Sequence, residues 1–223
     1  MSIAVAIDGP VGAGKSTIAK ECANRLGFIY VDTGAMYRGI GLYCVRNGIG
    51  TRDGAAVEDA LSQIKIEITL QDGTQHIILN GADVSEEIRL PEISMAASDV
   101  SAIPAVRAFL LDLQRGFADN NNVIMDGRDI GTVVLPDAEV KIYLTAGDEI
   151  RAKRRYDELV AKGKVVKYED VLADLRQRDY NDMHRETAPL KQAEDAVLAD
   201  TSELDFDGSV TLIENIIKSK AGM

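Results

Sequence analysis

The stretch Ile3-Ala4-Val5-Ala6-Ile7-Asp8-Gly9-Pro10-Val11-Gly12-Ala13-Gly14-Lys15-Ser16 decides how this chain is read. Its opening apolar run, rich in β-branched residues, predicts a strand buried on both faces. The run ends at Asp8, and Gly9–Ser16 fits G-x-x-x-x-G-K-[ST]. Glycines there let the backbone wrap an anion with its N–H groups pointing inward. The helix that follows turns its positive end towards the same anion. That helix is predicted over Lys15–Leu26, where apolar residues at 18, 19, 22, 23 and 26 form one stripe. Strand, glycine loop and amphipathic helix together are the context this motif requires. Gly9, Pro10, Val11, Gly12, Ala13, Gly14, Lys15, Ser16 and Thr17 are thus expected to cradle the phosphates of a nucleotide. Lys15 would reach the β and γ phosphates, and the Ser16 hydroxyl would ligate Mg²⁺.

Outward from this motif, strands and helices alternate. Phe28–Val31 reads as a strand, Gly34–Asn47 as a helix closed by Gly48, and Ala55–Ile64 as a further helix. The period then changes to two, with Ile64, Ile66, Ile68 and Leu70 separated by polar residues. Asp72-Gly73 and Asn80-Gly81 are hairpin turn signals around Ile77–Leu79, so residues 64–85 read as an antiparallel meander. The alternation resumes with a helix over Pro104–Ala118 and strands over Val123–Met125 and Val140–Leu144. Charged helices over Asp148–Lys162 and Tyr168–Asp182 flank Gly163, and a strand over Ala196–Ala199 and a helix over Ser209–Lys218 close the chain. The expected architecture is α/β: a five-stranded parallel sheet with helices on both faces. A single domain over 1–223 would carry a small antiparallel β insert at 64–90 and a helical lid at 151–167.

Composition fits one domain: 223 residues, of which 46% are hydrophobic. The net charge of -11 is unevenly spread. Residues 1–51 carry five basic and three acidic side chains, residues 52–100 three and ten, residues 101–191 fifteen and sixteen, and residues 192–223 two and seven. Such acidity argues against a nucleic-acid polymer or an anionic membrane as partner. No apolar run approaches the ~18–20 residues of a membrane span, and the N-terminus lacks the basic region of a signal peptide. Cys22 and Cys44 form no metal-type cluster; Cys22, four residues from Ile18 and from Leu26, is expected in the core. His76 and His184 lie far apart, which argues against a catalytic histidine. The expected setting is the reducing cytoplasm, and nothing in the sequence asks for more than a monomer.

A phosphate loop alone does not separate kinases from GTPases, but no Asn-Lys-x-Asp guanine-reading segment is present. Further strings narrow the class: Asp32-Thr33-Gly34-Ala35-Met36-Tyr37-Arg38, Ala97-Ser98-Asp99, Val106-Arg107, Asp126-Gly127-Arg128-Asp129-Ile130-Gly131-Thr132-Val133-Val134, and Arg178 through Arg185. With the phosphate loop and the β insert, these resemble bacterial cytidylate kinases nearly end to end. The resemblance implies transfer of the γ-phosphoryl of ATP to CMP or dCMP. It implies Arg38, Arg128, Arg178 and Arg185 around the CMP phosphate and the moving phosphoryl, with Lys15. It implies Ser98, Arg107 and Asp129 as cytosine readers, Asp182 as a ribose contact, and Thr33 and Tyr37 as walls of the acceptor site. Arg151, Arg154 and Arg155 would be lid arginines closing over ATP.

Elementary chemistry favours the same residue types. The cytosine amino group is a donor that suits a carboxylate such as Asp129, while its ring acceptors suit Arg107 or Ser98. Phosphate suits bidentate arginine. Asp126, at the end of an apolar strand, is the candidate partner of Ser16 for Mg²⁺. Two alternatives stay open: a kinase for another small acceptor such as shikimate or a nucleoside, and a slowly hydrolysing nucleotide switch.

Overall fold

The computed structural model describes residues 2–71 and 74–223, so the expected Asp72-Gly73 turn lies outside the described residues. The chain runs β1 (Ala4–Asp8), α1 (Lys15–Leu26), β2 (Ile29–Asp32), α2 (Thr33–Arg46), α3 (Gly54–Leu61), β3 (Ile66–Gln71), β4 (Thr74–Leu79) and β5 (Ala82–Asp83). It continues through α4 (Pro91–Ser101), α5 (Pro104–Ala118), β6 (Val123–Gly127), β7 (Val140–Thr145), α6 (Asp148–Ala161), α7 (Tyr168–His184), β8 (Val197–Asp200) and α8 (Phe206–Ala221). The five expected strands form one parallel sheet in the order β2-β6-β1-β7-β8. The expected meander forms a separate antiparallel sheet, β3-β4-β5.

Alternation along the strands sends side chains to two cores. Ala6, Val31 and Met125 face α2, α5 and the insert, where Ile40, Ile77 and Leu110 are fully or almost fully buried. Val5, Ile7, Ile124 and Ile142 face α1 and α8, where Cys22, Val210 and Ile213 have no exposed surface. Cys22 is thus in the core, as its spacing predicts.

Two differences from the expected elements have clear causes. Helices α2 and α8 begin earlier than their apolar stripes suggest, because Asp32 and Asp205 cap them: Asp32 Oδ1 accepts the Ala35 N–H at 2.9 Å and Asp205 Oδ1 the Gly208 N–H at 2.8 Å. Helix α4 was not anticipated. Its stripe of Ile93, Ala96 and Val100 is buried, and Pro91 stands at its first turn, a position that suits proline. Among the described residues, no single helix is long and apolar enough to cross a membrane.

Candidate active site

A cleft of about 680 Å³ opens outside the carboxyl ends of β1, β2 and β6, where open α/β sheets bind ligands. The phosphate loop links β1 to α1 at one end. Helix α1 has Gly14 at its N-cap and no side-chain cap, which leaves its first N–H groups bare for an anion. Val11 through Thr17 line the cleft. Gly9 and Pro10 are set back from it and act through their carbonyls, each accepting from Lys15 Nζ at 2.8 Å. Gly9 is required by close approach: a Cβ there would stand 2.0 Å from the Leu144 carbonyl oxygen, with φ at +152°. Burial pushes the Lys15 pKa down to about 7, Arg128 adds to this, and Asp126, Asp182 and Asp8 oppose it.

Asp126 stands at the end of β6 against this loop. One of its oxygens accepts from Ser16 Oγ at 2.9 Å and the other from Tyr30 OH at 2.8 Å. Burial and the neighbouring Asp32 raise its pKa to about 6. The hard oxygens of Ser16 and Asp126 fit Mg²⁺. Among the described residues, no cluster of three His, Cys, Asp or Glu could hold a metal. Two protein oxygens suit an ion that also takes phosphate oxygens.

At the acceptor end, Asp129 is buried and meets two arginines: Arg107 on one oxygen and Arg185 on the other at 3.2 Å. Burial raises its pKa despite both. Arg107 also lies over the Tyr37 ring, 5.7 Å from its centroid. Arg128 Nε donates to Asp182 at 2.7 Å. Burial opposes the Asp182 charge, but Arg128, Arg185 and Arg178 outweigh it and its pKa falls. Arg38 donates to Asp32 at 2.7 Å. Thr33 Oγ1 donates to the Asp126 carbonyl at 2.8 Å, pinning the start of α2 to the end of β6. Arg178 is held only loosely, 3.9 Å from Asp174, and its Nε is buried without a partner. It is therefore available to a ligand, as is the exposed Arg89, which lines the same cleft and which the sequence reading missed. Ser98, on the unanticipated α4, also lines the cleft.

The three expected lid arginines part company. Arg155 lines the cleft and pairs with Glu158 at 2.8 Å. Arg154 lines it too, donating to the Thr201 carbonyl at 2.8 Å and the Leu204 carbonyl at 3.2 Å. Arg151 does not face the cleft. It is buried and donates to the Ala146 and Val11 carbonyls and to Asp179, at 2.8, 2.6 and 2.6 Å. An arginine spacing alone could not distinguish the exposed face of α6 from the face that docks on the loop.

The sequence reading also missed Gln75. From the insert, its Oε1 accepts the Asp32 N–H at 2.8 Å and its Nε2 donates to the Asp32 carbonyl at 3.2 Å. Asp8 was missed as well; it accepts from the Ile130 and Gly131 N–H groups at 2.8 Å each, fixing the turn after Asp129.

Comparisons with known proteins give the family. The family model for cytidylate kinase matches residues 5–219. A cytidylate kinase of Caldicellulosiruptor bescii is 53% identical over 92% of this chain and 91% of its own length. One from Leuconostoc mesenteroides is 49% identical over 96% of each chain. One from Thermosipho melanesiensis is 46% identical over 99% of each. Among solved structures, a gluconokinase from Sinorhizobium meliloti shares the fold at a TM-score of 0.50 and 12% identity, over 99% of this chain and 94% of that one. The phosphate loop, the arginine-rich acceptor end and the match over nearly the whole chain lead to one assignment: this chain belongs to the cytidylate kinase family.

Proposed function

We propose that this enzyme transfers the γ-phosphoryl group of ATP to CMP and dCMP in a Mg²⁺-dependent reaction. The observation that carries this is a single cleft with a phosphate loop at one end and the Asp129–Arg107 pair at the other. Arg38, Arg128, Arg178 and Arg185 line the same cleft. Nine basic and six acidic side chains line the cleft, so it is net positive in a protein of net charge -11. That balance suits two nucleotides meeting phosphate to phosphate.

The nucleophile is a phosphate oxygen of CMP. Its second pKa is about 6, so it is ionised at neutral pH and needs no general base. Catalysis then rests on alignment and charge neutralisation. Lys15 and the loop N–H groups hold the donor phosphates. A triphosphate beside Lys15 favours its charged form and offsets the burial that lowers its pKa. Ser16 and Asp126 would hold Mg²⁺, which would supply positive charge at the donor phosphates. Arg178, only loosely held by Asp174, and Arg128 bring the two anions together. Asp129 still has lone pairs for the cytosine amino group while held by two arginines. Arg154 and Arg155 close the donor side and help exclude water. The enzyme is expected to act as a cytoplasmic monomer with no polymer or membrane partner.

The test is a coupled assay with ATP and Mg²⁺ against CMP, dCMP, UMP, AMP and GMP, repeated with excess EDTA. Turnover is expected for CMP and dCMP and should be lost with EDTA. Equal or better turnover of AMP or UMP would overturn the acceptor assignment. Undiminished turnover in EDTA would remove Mg²⁺.

A further inference from the structure

Residues outside the cleft grip the phosphate loop at Val11. Asp179 on α7 is 8% exposed and Arg151 on α6 is 6% exposed. Asp179 Oδ1 accepts the Val11 N–H at 2.9 Å, and its Oδ2 takes Arg151 Nη1 at 2.6 Å. The same Arg151 nitrogen donates to the Val11 carbonyl at 2.6 Å, while Arg151 Nε is braced on the Ala146 carbonyl just after β7. Both polar groups of Val11 are therefore taken from behind by one buried ion pair.

Each peptide unit is planar, and none in the described residues is cis, so a carbonyl and the next N–H point in opposite directions. Holding the Val11 N–H towards Asp179 turns the Pro10 carbonyl the other way, where it accepts from Lys15 Nζ. Holding the Val11 carbonyl towards Arg151 turns the Gly12 N–H the other way, into the cleft. We propose that Arg151 and Asp179 are positioning residues that preset the phosphate loop, aiming the Gly12 N–H and the Lys15 amine at the donor's phosphates. The proposal rests on the reading of ATP as donor. It also separates the two ends of the site: the pair governs the donor, and the acceptor contacts at Asp129 and Arg107 do not depend on it.

Removing one partner alone would strand a buried charge, so the informative variant is the double substitution Arg151→Met with Asp179→Leu. Replacing a buried ion pair by apolar groups of similar size is often near-neutral for stability. Calorimetric titration with ATP and Mg²⁺ is expected to show affinity weakened about tenfold or more, the loss that goes with a charge-assisted hydrogen bond. KM for CMP should stay within about twofold, the thermal midpoint should hold, and kcat should fall. A double variant that folds and binds ATP like the wild type overturns the proposal, as does an equal rise in both KM values. Should the variant not fold, the wild type serves. In ¹⁵N-labelled protein, ATP is expected to shift the Gly12 amide strongly and leave the Val11 amide nearly still. A Val11 shift as large as that of Gly12 overturns the proposal. A wild type that binds no ATP overturns the donor assignment, and the role of the pair with it.

Discussion

Lys15 is a buried amine that folds back onto the carbonyls of Gly9 and Pro10, its pKa pushed down to about 7 first by burial and then by Arg128. A cation held in a water-poor site acts on developing charge far more strongly than one in solvent. Lys15→Ala is therefore expected to lower kcat about 100-fold or more. Circular dichroism should be unchanged, because α1 packs through Ile18, Ala19, Cys22 and Ala23 rather than through Lys15. Near-normal turnover would take the lysine out of the mechanism. At this scale much of the site was legible. The phosphate loop announces itself because its chemistry demands particular residues at particular spacings within one short segment. Asp179 and Gln75 were not legible, because each serves a backbone group 168 and 43 residues away, and a hydrogen bond to a main chain leaves no mark on the partner's identity.

Helix α4 is the element that carries Ser98 into the cleft, and its position depends on α2. A Cβ at Gly41 would lie 3.0 Å from the Ala96 Cβ and 3.0 Å from the Ala97 backbone nitrogen. These neighbours are a small side chain and backbone, which cannot swing aside. Gly41→Ala is expected to lower stability by about 1–3 kcal/mol, the usual cost of overpacking. Because α4 would be pushed outward, KM for CMP should rise while KM for ATP changes little. A variant with lowered thermal midpoint but unchanged KM for CMP would mean that Ser98 does not depend on this packing. The helix escaped the sequence reading although its apolar stripe and leading proline were present, since its polar residues, Ser94, Ser98, Asp99 and Ser101, thin the pattern. The strands were legible because buried parallel strands are short continuous apolar runs, and the insert because its period of two contrasts with them.

At the scale of the molecule, net charge and site charge have opposite signs. The total of -11 comes mostly from residues 52–100 and 192–223, while the cleft gathers arginines from six separate segments. Composition argues against a polyanionic partner but could not foresee where the positive charge would converge. The core makes a simple prediction of its own. Cys22 and Cys44 have no exposed surface, and burial pushes the Cys22 thiol up to about 12, with Glu214 adding to it. A thiolate is the reactive form. Native protein is expected to show no thiol reactive to Ellman's reagent within minutes, and two after denaturation in guanidinium. Prompt reaction of either thiol in native protein would mean that one of the two cores opens readily.

The two hydrogen bonds from Gln75 bear on more than the geometry of Asp32. Strand β2 ends the main sheet, and Asp32 is its last residue, with N–H and C=O that point outward from that border to Gln75. An unpaired peptide group in such a place is a template on which a strand from another molecule can add. The primary amide of Gln75 offers the same acceptor and donor as a peptide and occupies that place intramolecularly. At Asp32 one side chain thus stands in for a sixth strand, and the end of the border nearest the mouth of the cleft is capped without lengthening the sheet.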